Sequence, residues 1–113
     1  MSENSKEFLL SLHSLVPENL IPIRNDGFRH DKIPCCDLLT DESDTEHVLK
    51  LNNSGAIIWG LCTESRSVGD IINMLADAFE VERADMARDV SRVVEYLLEE
   101  RALINSNNVA LAE

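Results

Sequence analysis

Aromatic side chains are scarce in this sequence, three Phe, one Tyr and one Trp in 113 residues, so any core must be built mainly from aliphatic groups. Glycine is equally thin. The four glycines, Gly27, Gly55, Gly60 and Gly69, are scattered along the chain, which removes the glycine-rich loop that a phosphate-cradling site requires. Three cysteines cannot all pair within one chain, and none stands in a C-x-x-C spacing. With no positively charged segment followed by a short apolar run and a cleavage site, the expected location is a reducing cytoplasm. No apolar run approaches the roughly 20 residues that a bilayer-crossing helix needs. Basic residues are few as well: 10 Lys and Arg stand against 21 Asp and Glu, a formal net charge of −11. A phosphate backbone or an anionic membrane would be repelled over most of such a surface, so neither nucleic acid nor membrane is an expected partner and a basic peptide is the more natural one.

What the chain does have is apolar content of 44%, enough for a chain of this length to bury about two-thirds of its unfolded surface in one core. Residues 4–16 place Phe8, Leu12 and Leu15 on one helical face, with Leu9 and Val16 beside it, before Pro17 stops the helix. This N-terminal amphipathic helix, with a linker to residue 21, is expected to pack on the domain or on a second copy, the latter making a homodimer. Residues 17–29 contain Pro17, Pro22, Asn25, Asp26 and Gly27, a composition that favours turns. Strands follow at Phe28 to Ile33, Cys35 to Leu39 and His47 to Leu51, a three-stranded antiparallel meander with an acidic turn from Asp41 to Glu46. The third strand alternates, with Leu49 and Leu51 on one face.

Asn52 is the expected N-cap of a helix whose buried stripe is Ile57, Ile58, Leu61 and Cys62, with Trp59 flanking it. Ser67 and Asp70 have the spacing of a capping box and open a second helix with Val68, Ile71, Ile72, Leu75 and Phe79 as its buried face. After a break at Phe79 to Glu82, the longest helix runs from Arg83 to Arg101 on a stripe of Met86, Val90, Val93, Val94 and Leu97. The fold class is therefore α+β. A meander followed by three helices is the order of parts in a winged helix-turn-helix domain, here with an extra N-terminal helix and a loose tail over residues 105–113.

Chemistry-bearing constellations are absent from the pattern. His30, Cys35, Cys36, His47 and Cys62 contain no structural zinc spacing, and Cys35 and Cys36, as strand neighbours, should point to opposite faces. The acidic turn lacks the alternating ligands, central glycine and terminal glutamate of a calcium loop. No metal, no cofactor and no catalytic residue is expected. Helix-turn-helix topology raises DNA binding, but the exposed side of the last helix offers Asp85, Asp89, Glu95 and Glu99 against Arg88 and Arg92, which forfeits the counterion release that drives DNA affinity.

The residues Leu51, Asn52, Ser54, Gly55, Ile58 and Trp59, followed in order by Ser67-Val68-Gly69-Asp70-Ile71, Phe79-Glu80-Val81, Asp89-Val90, Val93-Val94, Leu97-Leu98 and Ala102-Leu103-Ile104, resemble the PqqD family, small precursor-peptide recognition elements named for pyrroloquinoline quinone biosynthesis. The resemblance covers roughly residues 22–104. Val93 and Ala102 depart from it, standing where the family tends to carry a larger residue and glycine. The resemblance implies a non-catalytic peptide-binding adaptor, a peptide chaperone that receives the leader of a ribosomally made precursor as an added strand. It would then present that leader to a peptide-modifying enzyme, such as a radical S-adenosylmethionine enzyme. The cleft would lie between the third strand, His47, Val48, Leu49 and Lys50, and one flank of the last helix. On helical angles of about 100° per residue that flank carries Asp85, Asp89, Arg92, Tyr96 and Glu99, with Val93 at its base. The competing expectation is a winged-helix interaction or regulatory protein without a precursor peptide.

Overall fold

The computed structural model describes residues 15–105. The expected helix over residues 4–16 lies outside the described residues except for Leu15 and Val16, which run as irregular chain. Val16 packs against the core, and its N–H donates to Ser91 Oγ at 3.3 Å.

The fold is α+β. Strands β2 (Phe28–Ile33), β3 (Cys36–Asp41) and β4 (Val48–Leu51) form an antiparallel sheet in the order β2-β3-β4. The registers Lys32↔Asp37, His30↔Leu39, Leu39↔Leu49 and Asp37↔Leu51 put Leu39, Leu49 and Leu51 on one face, as the period of two requires. All three are buried. The middle strand begins and ends later than the pattern suggested, because Pro34 and Cys35 form the two-residue turn and Asp41 still pairs with Phe28. The acidic turn closes on itself: the Ser43 backbone N–H and hydroxyl donate to Asp41 Oδ1 at 2.9 and 2.7 Å, and the Glu46 N–H donates to Asp44 Oδ1 at 3.3 Å. Those bonds from Ser43 hold the Asp41 carboxyl below its usual range.

Helices α1 (Asn53–Leu61), α2 (Val68–Phe79) and α3 (Arg83–Glu99) cover the sheet. Asn52 caps α1, its side chain accepting from the Gly55 N–H at 2.8 Å. Ser67 and Asp70 make a reciprocal capping box, at 3.1 Å in both directions. Ile58, Trp59, Ile71, Ile72, Val90, Val94 and Leu97 fill the space between the helices and the sheet. Two residues assigned to this core by periodicity are not in it: Ile57 is 43% and Phe79 55% exposed. Met86 and Val93 are only half-buried.

A second sheet of two strands was not legible in the pattern. Strand β1 (Pro22–Arg24), within the turn-rich lead-in, pairs antiparallel with β5 (Leu103–Asn105), in the register Pro22↔Asn105, Ile23↔Ile104, Arg24↔Leu103. Asn105, assigned to a loose tail, is thus held in a ladder, and residues 106–113 lie outside the described part. The lead-in is tied down further upstream. The Gly69 N–H donates to the Glu18 carbonyl at 2.9 Å, and a Cβ on Gly69 would stand 3.3 Å from that same oxygen, a tight contact that glycine avoids. Arg83 grips the Glu18 carboxylate with two bonds of 2.8 and 2.9 Å, lowering the Glu18 pKa.

Helix α2 ends on Glu80 in the left-handed region, at φ 55°. A side chain there costs about 1–2 kcal/mol, which glycine avoids at an entropic cost of about 0.5–1 kcal/mol. Glu80→Gly is therefore expected to stabilise the domain by up to about 1 kcal/mol. A thermal melt with a midpoint raised by a few degrees would agree; a lowered midpoint would mean that the Glu80 side chain contributes more than its backbone costs.

Candidate functional site

Strand β4 has one partner, β3. The Asp41 N–H donates to the His47 carbonyl at 3.0 Å, and along an antiparallel strand successive residues turn their N–H and C=O groups to opposite sides. Leu49, Leu51 and the His47 carbonyl therefore serve the ladder with β3, while the His47 N–H donates to the Asp44 carbonyl at 2.8 Å. Val48 and Lys50 turn their backbone groups to the outer edge, where no strand pairs among the described residues.

Three hollows are arranged around this strand and α3. The first, about 540 Å³, opens between the N-terminal end of α1, the end of α2 and the first half of α3; Ile57, Leu75, Phe79, Val81, Met86 and Val93 give it an apolar lining, and Asp89 and Arg92 also border it. The second, about 440 Å³, is lined by Cys35, Cys36, Lys50, Leu51, Asn52, Gly55, Arg92, Val93 and Tyr96. Asn52, Arg92 and Val93 are common to both, so the two form one groove. The third, about 300 Å³, lies at the other end of β4, where Asp41, Asp44, Glu99 and Glu100 surround His47 and Arg101.

The sequence-derived site residues are distributed over these hollows. Arg92 and Val93 sit at the junction of the first two, Tyr96 and Lys50 in the second, and Asp89 in the first. Glu99 and His47 belong to the third, where His47 Nε2 is 3.2 Å from Glu100 Oε1 and its ring meets Phe28 edge-on at 5.9 Å between centroids. Asp85 is exposed and engaged with Arg88 on its own helix, and it lines none of the three hollows. Val48 is exposed and Leu49 is buried in the core, so Leu49 has no side chain to offer a ligand. Ile57, Phe79, Val81 and Met86 were missed; three of them read as helix core by periodicity, and the signal that they face outward is the crossing of α1, α2 and α3.

The expectation for Cys35 and Cys36 is corrected. Cys35 lies in the turn and not on the strand, so strand alternation does not apply, and the two sulfurs are 3.3 Å apart on the rim of the groove. The hydrogen bond to Cys35, together with burial, raises the Cys36 thiol above the ordinary thiol range. Cys62 is a core residue: burial pushes its thiol up to about 12, and its S–H donates to the Ile58 carbonyl at 3.2 Å. Among the described residues no group of three or more His, Cys, Asp or Glu could hold a metal ion, and no helix is long and apolar enough to cross a membrane.

These features define a small α+β domain in which a three-stranded sheet ends on an edge strand, unpaired on its outer side among the described residues, beside a long helix, with a groove between them. The chain belongs to the PqqD family: the family model described as coenzyme PQQ synthesis protein D matches residues 38–103, from β3 to the first residue of β5. No curated protein and no solved structure gave a significant match. Membership fits an accessory protein of coenzyme PQQ or ribosomal-peptide biosynthesis.

Proposed function

We propose that this protein is a non-catalytic adaptor that binds the leader of a ribosomally synthesised precursor peptide as an added strand on β4 and presents it to a peptide-modifying enzyme in the cytoplasm. The observation that carries the reading is the outer edge of β4, which pairs with no strand among the described residues and is bordered by the groove that Lys50, Arg92, Val93 and Tyr96 line. Strand addition uses such an edge: backbone hydrogen bonds supply affinity and the flanking pockets supply specificity. Under this reading the binding unit is the winged-helix-like domain over residues 22–104. Of the N-terminal segment, residues 1–21, Val16 and Leu20 pack on the domain; for the residues before them the reading is packing on the domain or on a second copy. The acidic exposed face of α3 supports a peptide over DNA as the ligand.

The test is amide hydrogen exchange with and without the leader of a precursor encoded beside this gene. The Val48 and Lys50 amides are expected to become protected, because a bound strand would accept from them, while the Leu49 amide is already held in the β3 ladder. Protection confined to residues far from β4 and α3, or no binding of that leader, would refute the adaptor reading.

A further inference from the structure

The geometry points to a peptide segment of a particular chemistry in this groove: an Asp or Glu received by Lys50 and Arg92, within a few residues of a large apolar side chain seated against Ile57, Phe79 and Val81. The inference rests on the strand-addition reading above and adds the class of ligand. It runs against the charge of the whole chain, which is −11 and on its own favours a basic peptide.

The local lining has the opposite sign. Lys50 from β4 and Arg92 from α3 both border the second hollow, and no acidic side chain among the described residues does. Neither cation makes an ion pair among the described residues. Arg29, Arg83 and Arg88 are each matched by a carboxylate; Arg24, Arg66 and Arg101, like Lys50 and Arg92, make no ion pair among the described residues, but none of those three lines the second hollow. Two unmatched basic groups from different elements, on the edge where a strand would dock, complement a carboxylate on that strand, and the Arg92 guanidinium can take it with two parallel bonds. The distant acidic surface weighs less, because charges are screened over about 8 Å at physiological ionic strength.

The apolar half is contiguous with the cationic half through Asn52, Arg92 and Val93. One carboxylate, Asp89, borders this apolar hollow. Ile57, Phe79 and Val81, between 43% and 55% exposed, surround a space of about 540 Å³, room for a Phe, Leu or Ile side chain. Large apolar side chains left exposed together mark a docking surface more than singly scattered ones do.

The test is selection from a display library of random 12-residue peptides against three proteins: the parent, the Lys50→Glu/Arg92→Glu double variant and Phe79→Ser. All three substituted side chains are exposed, so circular dichroism should show each variant folded. Peptides selected on the parent are expected to carry Asp or Glu near Phe, Leu or Ile. Replacing that acid by Lys should weaken binding roughly tenfold on the parent, and the preference should reverse on the double variant. Phe79→Ser should lose the enrichment of large apolar residues and keep the acidic one. Enrichment of Lys or Arg on the parent, or an acidic preference that the double variant retains, overturns the inference even if hydrogen exchange shows the peptides on β4. Peptides that bind without protecting β4, or no enrichment at all, would overturn the strand-addition reading and this inference with it.

Discussion

Trp59→Ala should remove about 3–5 kcal/mol of stability, the range for emptying a large aromatic site in a packed core. The single tryptophan is 3% exposed and belongs to the cluster joining the sheet to α2 and α3. The Arg24 guanidinium lies 5.9 Å from its ring centroid, linking β1 to α1. Domains of this size have total stabilities of about 5–15 kcal/mol, so the loss is a large share of the total and the variant is expected to unfold at a much lower temperature and denaturant concentration than the parent. Because the substitution also deletes the only indole, the unfolding curve must be followed by far-ultraviolet circular dichroism. Trp59→Phe, which keeps most of the volume, should lose less than half as much. A denaturation midpoint for Trp59→Ala matching the parent would mean that the helices do not depend on this side chain to pack against the sheet.

Proline substitutions at neighbouring positions of β4 should have opposite consequences. Leu49 directs its N–H to β3 and its side chain into the core, so Leu49→Pro removes a ladder bond and leaves its buried acceptor on β3 unsatisfied, a cost of about 1–3 kcal/mol. It also replaces a buried leucine, at 4% exposure, and the combined loss should prevent stable folding. Val48 is 45% exposed and directs its N–H to the free edge, so Val48→Pro leaves the ladder with β3 intact. That variant is expected to melt within a few degrees of the parent and to bind the leader about tenfold or more weakly, since one backbone hydrogen bond is lost and the ring crowds the added strand. Thermal melts and calorimetric titration on the pair distinguish the two roles. A folded Val48→Pro protein with unchanged affinity would move the docking edge away from β4.

The local elements of this fold are written in short-range chemistry, which is why they can be read from the chain alone. Alternation from Val48 to Leu51 sets which face of the strand is buried. Asn52 and the Ser67–Asp70 pair start α1 and α2, because a side-chain oxygen three residues upstream is what the first free N–H groups of a helix need. The family, likewise, is legible in the order of these pieces, and the family model confirms it over residues 38–103. The pairing of β1 with β5 depends instead on bringing together residues about eighty positions apart, and three residues carry too little pattern to announce it.

The groove belongs to tertiary structure for a related reason. Hydrophobicity says that Ile57, Phe79, Val93 and Met86 avoid water, but it does not say whether a neighbouring element arrives to cover them. Where α1, α2 and α3 meet, these side chains border a hollow that no neighbouring element closes over among the described residues. Charge follows the same logic. A net value of −11 is a property of the composition, whereas the field felt by a ligand is set by the few side chains within a screening length, and folding brings Lys50 and Arg92 to the second hollow, where no carboxylate is among the lining residues, with Asp89 on the adjoining first one.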